Sequence, residues 1–168
     1  MTITIHDDAT ASDLPAILAI FNAVIATTTA IYRDDPLTLE DRATWLAARR
    51  ADGFPVLTAR DPTTGRLLGF GTYSWFKATP PGYATTVEHT VMVAPEARGA
   101  GVGTALLEAL IARATADGFH VMVASIDGAN VGSIRLHERL GFNQVGRMPE
   151  VARKSGRWMD LVVLQRRL

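Results

Sequence analysis

The sequence predicts an α/β fold, a mixed sheet flanked by helices, and three observations predict it. Period-two and β-branched apolar stretches alternate with helix-period stretches along 168 residues, a length that suits one domain. A glycine-rich junction, Arg98-Gly99-Ala100-Gly101-Val102-Gly103-Thr104, leads from a strand into a long apolar helix. The later strands are connected through helices, and a helical crossover is what parallel neighbours require.

The elements follow in order. Residues 2–6 (TITIH) alternate as a short strand. Asp13 precedes a helical run of Leu14, Ile17, Leu18, Phe21 and Ile25. Residues 27–37 are polar and irregular, and a second helix is expected from Leu39 to Arg50 with Thr38 as its N-cap. Phe54–Ala59 and Leu67–Phe76 read as strands joined by the turn Asp61-Pro62-Thr63-Thr64-Gly65. Residues 78–84 form a loop. Thr86–Val93 alternates, with Val87, His89, Val91 and Val93 on one face and Glu88, Thr90 and Met92 on the other. A helix to about Thr115, a strand Val121–Ala124, a helix from about Ala129 to Leu140, a strand Asn143–Arg147 and a last strand Met159–Leu164 complete the chain. The apolar run Leu161–Leu164 suits either a buried interface or an ordinary internal strand.

Composition removes several function classes. Lysine plus arginine and aspartate plus glutamate both number 17, so the formal charge is zero and the basic footprint of a nucleic-acid binder is missing. There is no cysteine, hence no disulfide, thiolate metal site or thiol nucleophile, and no metal is expected. No apolar run approaches the roughly 20 residues of a membrane helix. The start, MTITIHDDATASDL, lacks a signal-peptide pattern, and a cytoplasmic protein without membrane partners is expected.

Three constellations carry chemistry. In the junction at Arg98–Thr104, glycines let backbone approach a ligand, and the first-turn N–H groups and the helix dipole favour an anion. Arg98 adds a fork of donors suited to phosphate oxygens. The stretch is neither a P-loop, since lysine is missing, nor G-x-G-x-x-G, since Thr104 falls on the last glycine position. The same glycines would also serve a tight turn with no ligand. Asn130, Ser133 and His137, spaced i, i+3, i+7, share a helix face that suits either a polar groove or solvent, and Asn130 suits an N-cap equally well. An unperturbed histidine changes charge near neutrality, so His137 is a candidate proton donor. Glu88 lies in a β-branched strand, where a carboxylate is costly against a core and useful beside a cleft as a general base.

Together these residues resemble the GNAT superfamily of N-acetyltransferases, whose Arg/Gln-x-x-Gly-x-Gly/Ala motif matches Arg98, Gly101 and Gly103. Thr86–Val93, the run NVGSIRLHERLGF from Asn130 to Phe142, and Lys154–Asp160 look like the phosphinothricin and methionine sulfone/sulfoximine acetyltransferase group. The likeness extends from about residue 2 to 165. It implies a twisted, mostly antiparallel sheet with a cofactor cleft between two central parallel strands. It also implies acetyl-coenzyme A as cosubstrate. Val91, Met92 and Val93 would pair with the pantetheine arm, Arg98 and Gly99, Ala100, Gly101, Val102, Gly103 and Thr104 would hold the pyrophosphate, and Asn130 and Ser133 would contact the cofactor.

In the same likeness Glu88 is the base, and His137 stands where many members carry a tyrosine that protonates the thiolate. The acetyl group would pass directly to the primary amine of a small molecule, without an acyl-enzyme, in a homodimer. Lys77 is the one basic residue in 73–83 and stands where relatives have arginine, and Met92 stands where they have tyrosine. Tyr32, Arg33, Phe76, Tyr83 and His89 join Lys77 as substrate-side candidates. An acetyltransferase for protein N-termini or other amines, and a coenzyme A-binding module without turnover, are the competing expectations.

Overall fold

In the computed structural model, which describes residues 2–168, seven strands form one open sheet and four helices cover it. The strands are β1 Thr4–His6, β2 Val56–Arg60, β3 Leu67–Trp75, β4 Thr86–Val93, β5 Val121–Asp127, β6 Asn143–Lys154 and β7 Arg157–Arg167. The helices are α1 Leu14–Thr27, α2 Leu39–Ala51, α3 Val102–Ala116 and α4 Val131–Arg139. The sheet order is β1-β2-β3-β4-β5-β7-β6, and among these neighbours only β4 and β5 run parallel, joined across α3. The mixed, mostly antiparallel sheet is therefore as expected.

Local chemistry sets the helix starts. Thr38 Oγ1 accepts the Asp41 N–H at 3.2 Å while Asp41 accepts the Thr38 N–H at 2.7 Å, a reciprocal cap for α2. α3 buries Val102, Leu106, Leu107, Leu110, Ile111 and Ala114, one stripe at helical period. That stripe presses on β3 where β3 has no side chains. A Cβ on Gly71 would lie 2.9 Å from Leu110 Cδ1, and one on Gly69 would lie 2.7 Å from the Met92 carbonyl oxygen. On the opposite face Phe70 meets Trp45 of α2 edge to face at 5.9 Å. Side chains alternate along β4, so Val91, paired with Gly71, faces α3, and Met92, paired with Phe70, faces the α1–α2 side.

Several boundaries differ from expectation. β5 runs on past Ala124 to Asp127, and Ser125 and Asp127 interrupt the apolar pattern because that end lines a cleft. β6 continues past Arg147 to Lys154 and β7 spans Arg157–Arg167, joined by a polar hairpin whose register shifts between Met148 and Ala152. The extensions mix polar and apolar residues with no period-two pattern, and Ala152, Arg153 and Lys154 stay in the ladder through backbone pairing with Met159, Trp158 and Arg157, which hydrophobic periodicity does not report. Leu161–Leu164 lies on an internal strand between β5 and β6, so of its two readings the internal strand is the one observed. Among the described residues no helix is long and apolar enough to cross a membrane.

Candidate active site

The parallel pairing of β4 with β5 creates the site. β4 and β5 register over only three pairs, Thr86 with Val121, Val87 with Met122 and Glu88 with Val123. Beyond Glu88 the strands part, although β4 continues to Val93 and β5 to Asp127. Backbone groups of Val91–Val93 that would face β5 are thereby released on one edge, a template for an extended ligand. The gap opens into a cleft of about 1070 Å³. Val91, Met92, Val93, Glu88 and His89 line it from β4, and Ala124, Ser125, Ile126 and Asp127 from β5.

The glycine-rich junction forms one end of the cleft. Arg98, Gly99, Gly101, Val102, Gly103 and Thr104 line it, whereas Ala100 is exposed outside that lining. Gly99 and Gly101 adopt φ of 76° and 87°, the left-handed region that glycine tolerates. The first helical bond of α3 runs from the Ala105 N–H to the Gly101 carbonyl at 3.0 Å, so the N–H groups of Val102, Gly103 and Thr104 precede the ladder. An added Cβ at Gly101 meets nothing within 4 Å, so Gly101→Ala isolates the conformational effect. It is expected to impose about 1–2 kcal/mol of strain on the turn and to weaken coenzyme A binding about ten-fold, measured by calorimetry.

α4 supplies the next wall. Asn130 Oδ1 caps α4 by accepting the Ser133 N–H at 3.1 Å, which leaves its amide nitrogen for a ligand in the cleft that both residues line. Capping and ligand contact, alternatives in the sequence, are compatible here. His137 is buried, its Nδ1 is 2.7 Å from the Ser133 carbonyl, and its Nε2 is 3.1 Å from Nε2 of His89. A carbonyl only accepts, so His137 carries its proton on Nδ1. Its Nε2 lone pair then accepts N–H from His89, whose buried Nδ1 has no partner. The rings stack with centroids 5.0 Å apart, and Phe142 meets both edge to face.

Burial, with the neighbouring His137, pushes the His89 pKa down to about 3, and burial also lowers that of His137 despite the Ser133 carbonyl. A folded pKa below the unfolded one means that the unfolded chain binds more protons between those values. Stability is therefore full above about pH 6.5 and falls as pH falls toward 3. The His89 share is expected to be up to about 2 kcal/mol between pH 7 and pH 5. His89→Phe should flatten that part of the slope in urea titrations at the two pH values.

The remaining wall comes from α1 and the segment after it, through Phe21, Val24, Thr28, Thr29, Ala30 and Ile31. Glu88 pairs with Ser74 and shares the α1–α2 face of β4 with Met92, so it looks toward this wall. His89 points the other way, into α4. The other substrate-side candidates lie outside the cleft lining. The Tyr32 hydroxyl donates to the Asp160 carbonyl at 2.7 Å, and its pKa is raised to about 12 by burial and by the carboxylates of Asp127 and Asp160. Arg33 is exposed and donates to the Asp35 carbonyl. Phe76, Lys77 and Tyr83 form their own cluster, with Lys77 Nζ 5.1 Å from the Tyr83 ring centre. Sequence reasoning missed Asp127, a buried acceptor for the Thr29 hydroxyl, and Arg139, which joins the cleft from the last turn of α4. Asp127 had a faint signal as a carboxylate ending a β-branched run.

Residues 17–142 match the model of the acetyltransferase (GNAT) family. The chain belongs to the GNAT family. It is 48% identical over 158 residues to the L-methionine sulfoximine/L-methionine sulfone acetyltransferase of Pseudomonas paraeruginosa, covering 94% of this chain and 91% of that one. A GNAT superfamily phosphinothricin acetyltransferase from Sinorhizobium meliloti, solved with acetyl-coenzyme A, superposes with TM-score 0.94 at 38% identity, over 100% of this chain and 89% of the other. A ribosomal-protein-alanine N-acetyltransferase from Brucella melitensis superposes with TM-score 0.93 at 40% identity, over the full length of both.

Proposed function

We propose that this GNAT protein transfers the acetyl group of acetyl-coenzyme A to the primary amine of an amino-acid analogue of the methionine sulfone, methionine sulfoximine or phosphinothricin type. The observation that carries the reading is the position of Glu88. It closes the β4–β5 pairing at the head of the cleft, and it faces the wall of α1 and Thr28–Ile31. The anion-binding turn of Arg98–Thr104 opens the same cleft from the other side, so pyrophosphate and amine would approach one point from two directions.

The chemistry is a direct displacement. Glu88 takes a proton from the substrate ammonium, directly or through a water. The freed nitrogen bonds to the thioester carbon, a backbone N–H of Val91–Val93 accommodates the charge on the carbonyl oxygen, and the carbon–sulfur bond breaks. The nitrogen, cationic once bonded to the carbon, gives up its second proton to leave the neutral amide, and the leaving thiolate takes one. His137 gives that proton only from its imidazolium form, which burial makes scarce at neutral pH. We therefore expect His137→Asn to lower kcat by less than about ten-fold, below the roughly 10²–10⁴-fold of a working general acid.

Thiol release from acetyl-coenzyme A tests the reading, with methionine sulfone, methionine sulfoximine, phosphinothricin, ordinary amines and N-terminal alanine peptides as acceptors. Release with the first three is expected. Release with peptides alone would transfer the activity to protein N-termini, and tight cofactor binding without release from any acceptor would leave a coenzyme A-binding module. We also propose a cytoplasmic homodimer. The exposed Val145, Met148 and Val151 on the edge strand β6 and Trp158 on β7 support it, and sedimentation showing only monomer would remove it.

A further inference from the structure

Lys154 is not part of the cleft lining, yet its side chain is buried, with the residue only 6% exposed. Its Nζ donates to the carbonyls of Ile25 and Thr28 at 2.7 Å each and of Ile31 at 2.9 Å. An ammonium has three N–H donors and no acceptor, so this set saturates it. The acceptors are spaced by three residues and curl around one cation. The first belongs to the last turn of α1, where carbonyls lack helical partners and the dipole favours positive charge. The stretch from Ala26 to Ile31 reads ATTTAI and holds no cation of its own. The cap is delivered instead from the β6–β7 hairpin, 123 to 129 residues away in the chain.

The same hairpin and its neighbours hold the segment at further points. Asp34 accepts from the Ser155 N–H at 3.0 Å and from its hydroxyl at 2.9 Å, and these bonds, with the Lys154 charge, hold the Asp34 carboxyl below its usual range. Tyr32 reaches the Asp160 carbonyl, and the Thr29 hydroxyl reaches Asp127 inside the cleft. Between these anchors, Thr28–Ile31 form the wall that faces Glu88. The shape of that wall is set by where its carbonyls point, and those of Thr28 and Ile31 point back at Lys154, beside that of Ile25 from α1.

We propose that Lys154 is a positioning residue for the amine pocket: by binding the carbonyls of Ile25, Thr28 and Ile31 it fixes the Thr28–Ile31 wall and so sets which amines fit, without touching them. This rests on the acetyltransferase reading above. Removing the ammonium leaves three carbonyls without a donor, so the wall must rearrange. The pyrophosphate turn lies across the cleft and shares no anchor with the hairpin. The effect should therefore separate the two substrates.

Lys154→Met keeps the length of the side chain and removes its donors. In the full-length protein it should raise the amine KM about ten-fold or more, with the acetyl-coenzyme A KM unchanged, and should change the ratio of kcat/KM between methionine sulfone and a smaller amine. Amide hydrogen exchange across residues 28–34 should accelerate in the same variant. Asp34→Ala loosens the segment from its exposed side and should act in the same sense, less strongly. If Lys154→Met does not fold, an Asp34→Ala protein with a raised amine KM and an unchanged acetyl-coenzyme A KM supports the proposal, and one with neither changed overturns it. Faster exchange with an unaltered amine KM, or equal rises in both KM values, overturns it while leaving the acetyltransferase reading intact. A wild-type protein that releases no thiol with any amine removes both together.

Discussion

Glu88→Gln is expected to lower kcat/KM for the amine by about 10²–10⁴-fold near neutral pH, the span that a positioned general base contributes. Glutamine keeps the volume and the planar end of the side chain, so the cleft and the β4–β5 junction should persist, and the melting temperature should move little. It cannot accept a proton at physiological pH. The acetyl-coenzyme A Kd should stay within about two-fold, because the turn proposed to hold the pyrophosphate and the Val91–Val93 edge are untouched. The pH profile decides between loss of a base and loss of a shape. As pH rises toward the amine's own pKa, free amine appears without help, and the gap between variant and wild type should narrow. A pH-independent deficit would mean that Glu88 orients the substrate rather than deprotonating it. Equal turnover at every pH would remove Glu88 from the reaction.

Much of this architecture was legible in the sequence because it is written in period and punctuation. The 3.6-residue stripe of Val102–Ala114, the alternation of Thr86–Val93 and the Thr38 cap each carry their own local signal. The glycine turn before α3 was legible for a different reason. Gly99 and Gly101 occupy a backbone region that other residues avoid, so composition reports conformation there directly. What stayed hidden depends on partners distant in the chain. Nothing local to His89 says that its ring nitrogen will find that of His137, 48 positions away, and so turn from the substrate face. Nothing near Lys154 announces that it caps α1. A buried lysine with three carbonyls looks, in sequence, like any lysine at a hairpin. The polar ends of β5, β6 and β7, at Asp127, Arg153–Lys154 and Gln165–Arg167, were missed for a related reason: a polar residue pairs its backbone as well as a valine does.

Gly69 joins the fold and the site at one atom, and its replacement should reveal the join. In β3 it pairs with Val93, and an added Cβ would fall 2.7 Å from the Met92 carbonyl oxygen, with Leu106 Cδ1 at 3.1 Å and Val102 Cγ1 at 3.2 Å behind it. The nearest obstacle is backbone, which cannot swing aside as a side-chain tip can. Gly69→Ala should therefore cost about 1–3 kcal/mol, the usual penalty for overpacking. For a chain of this size that is a fall in Tm of roughly 2–4 °C per kcal/mol. The relief available is a shift of β4 at Met92, on the edge expected to pair with the pantetheine arm. Acetyl-coenzyme A affinity should accordingly fall along with stability. Gly53→Ala makes the comparison sharp, because φ there is +75° and nothing lies within 4 Å of an added Cβ. That change strains an isolated turn by about 1–2 kcal/mol and should leave cofactor affinity alone. If both variants lose stability and neither loses affinity, the Val91–Val93 edge does not hold the cofactor, and the pantetheine path must run along β5 instead.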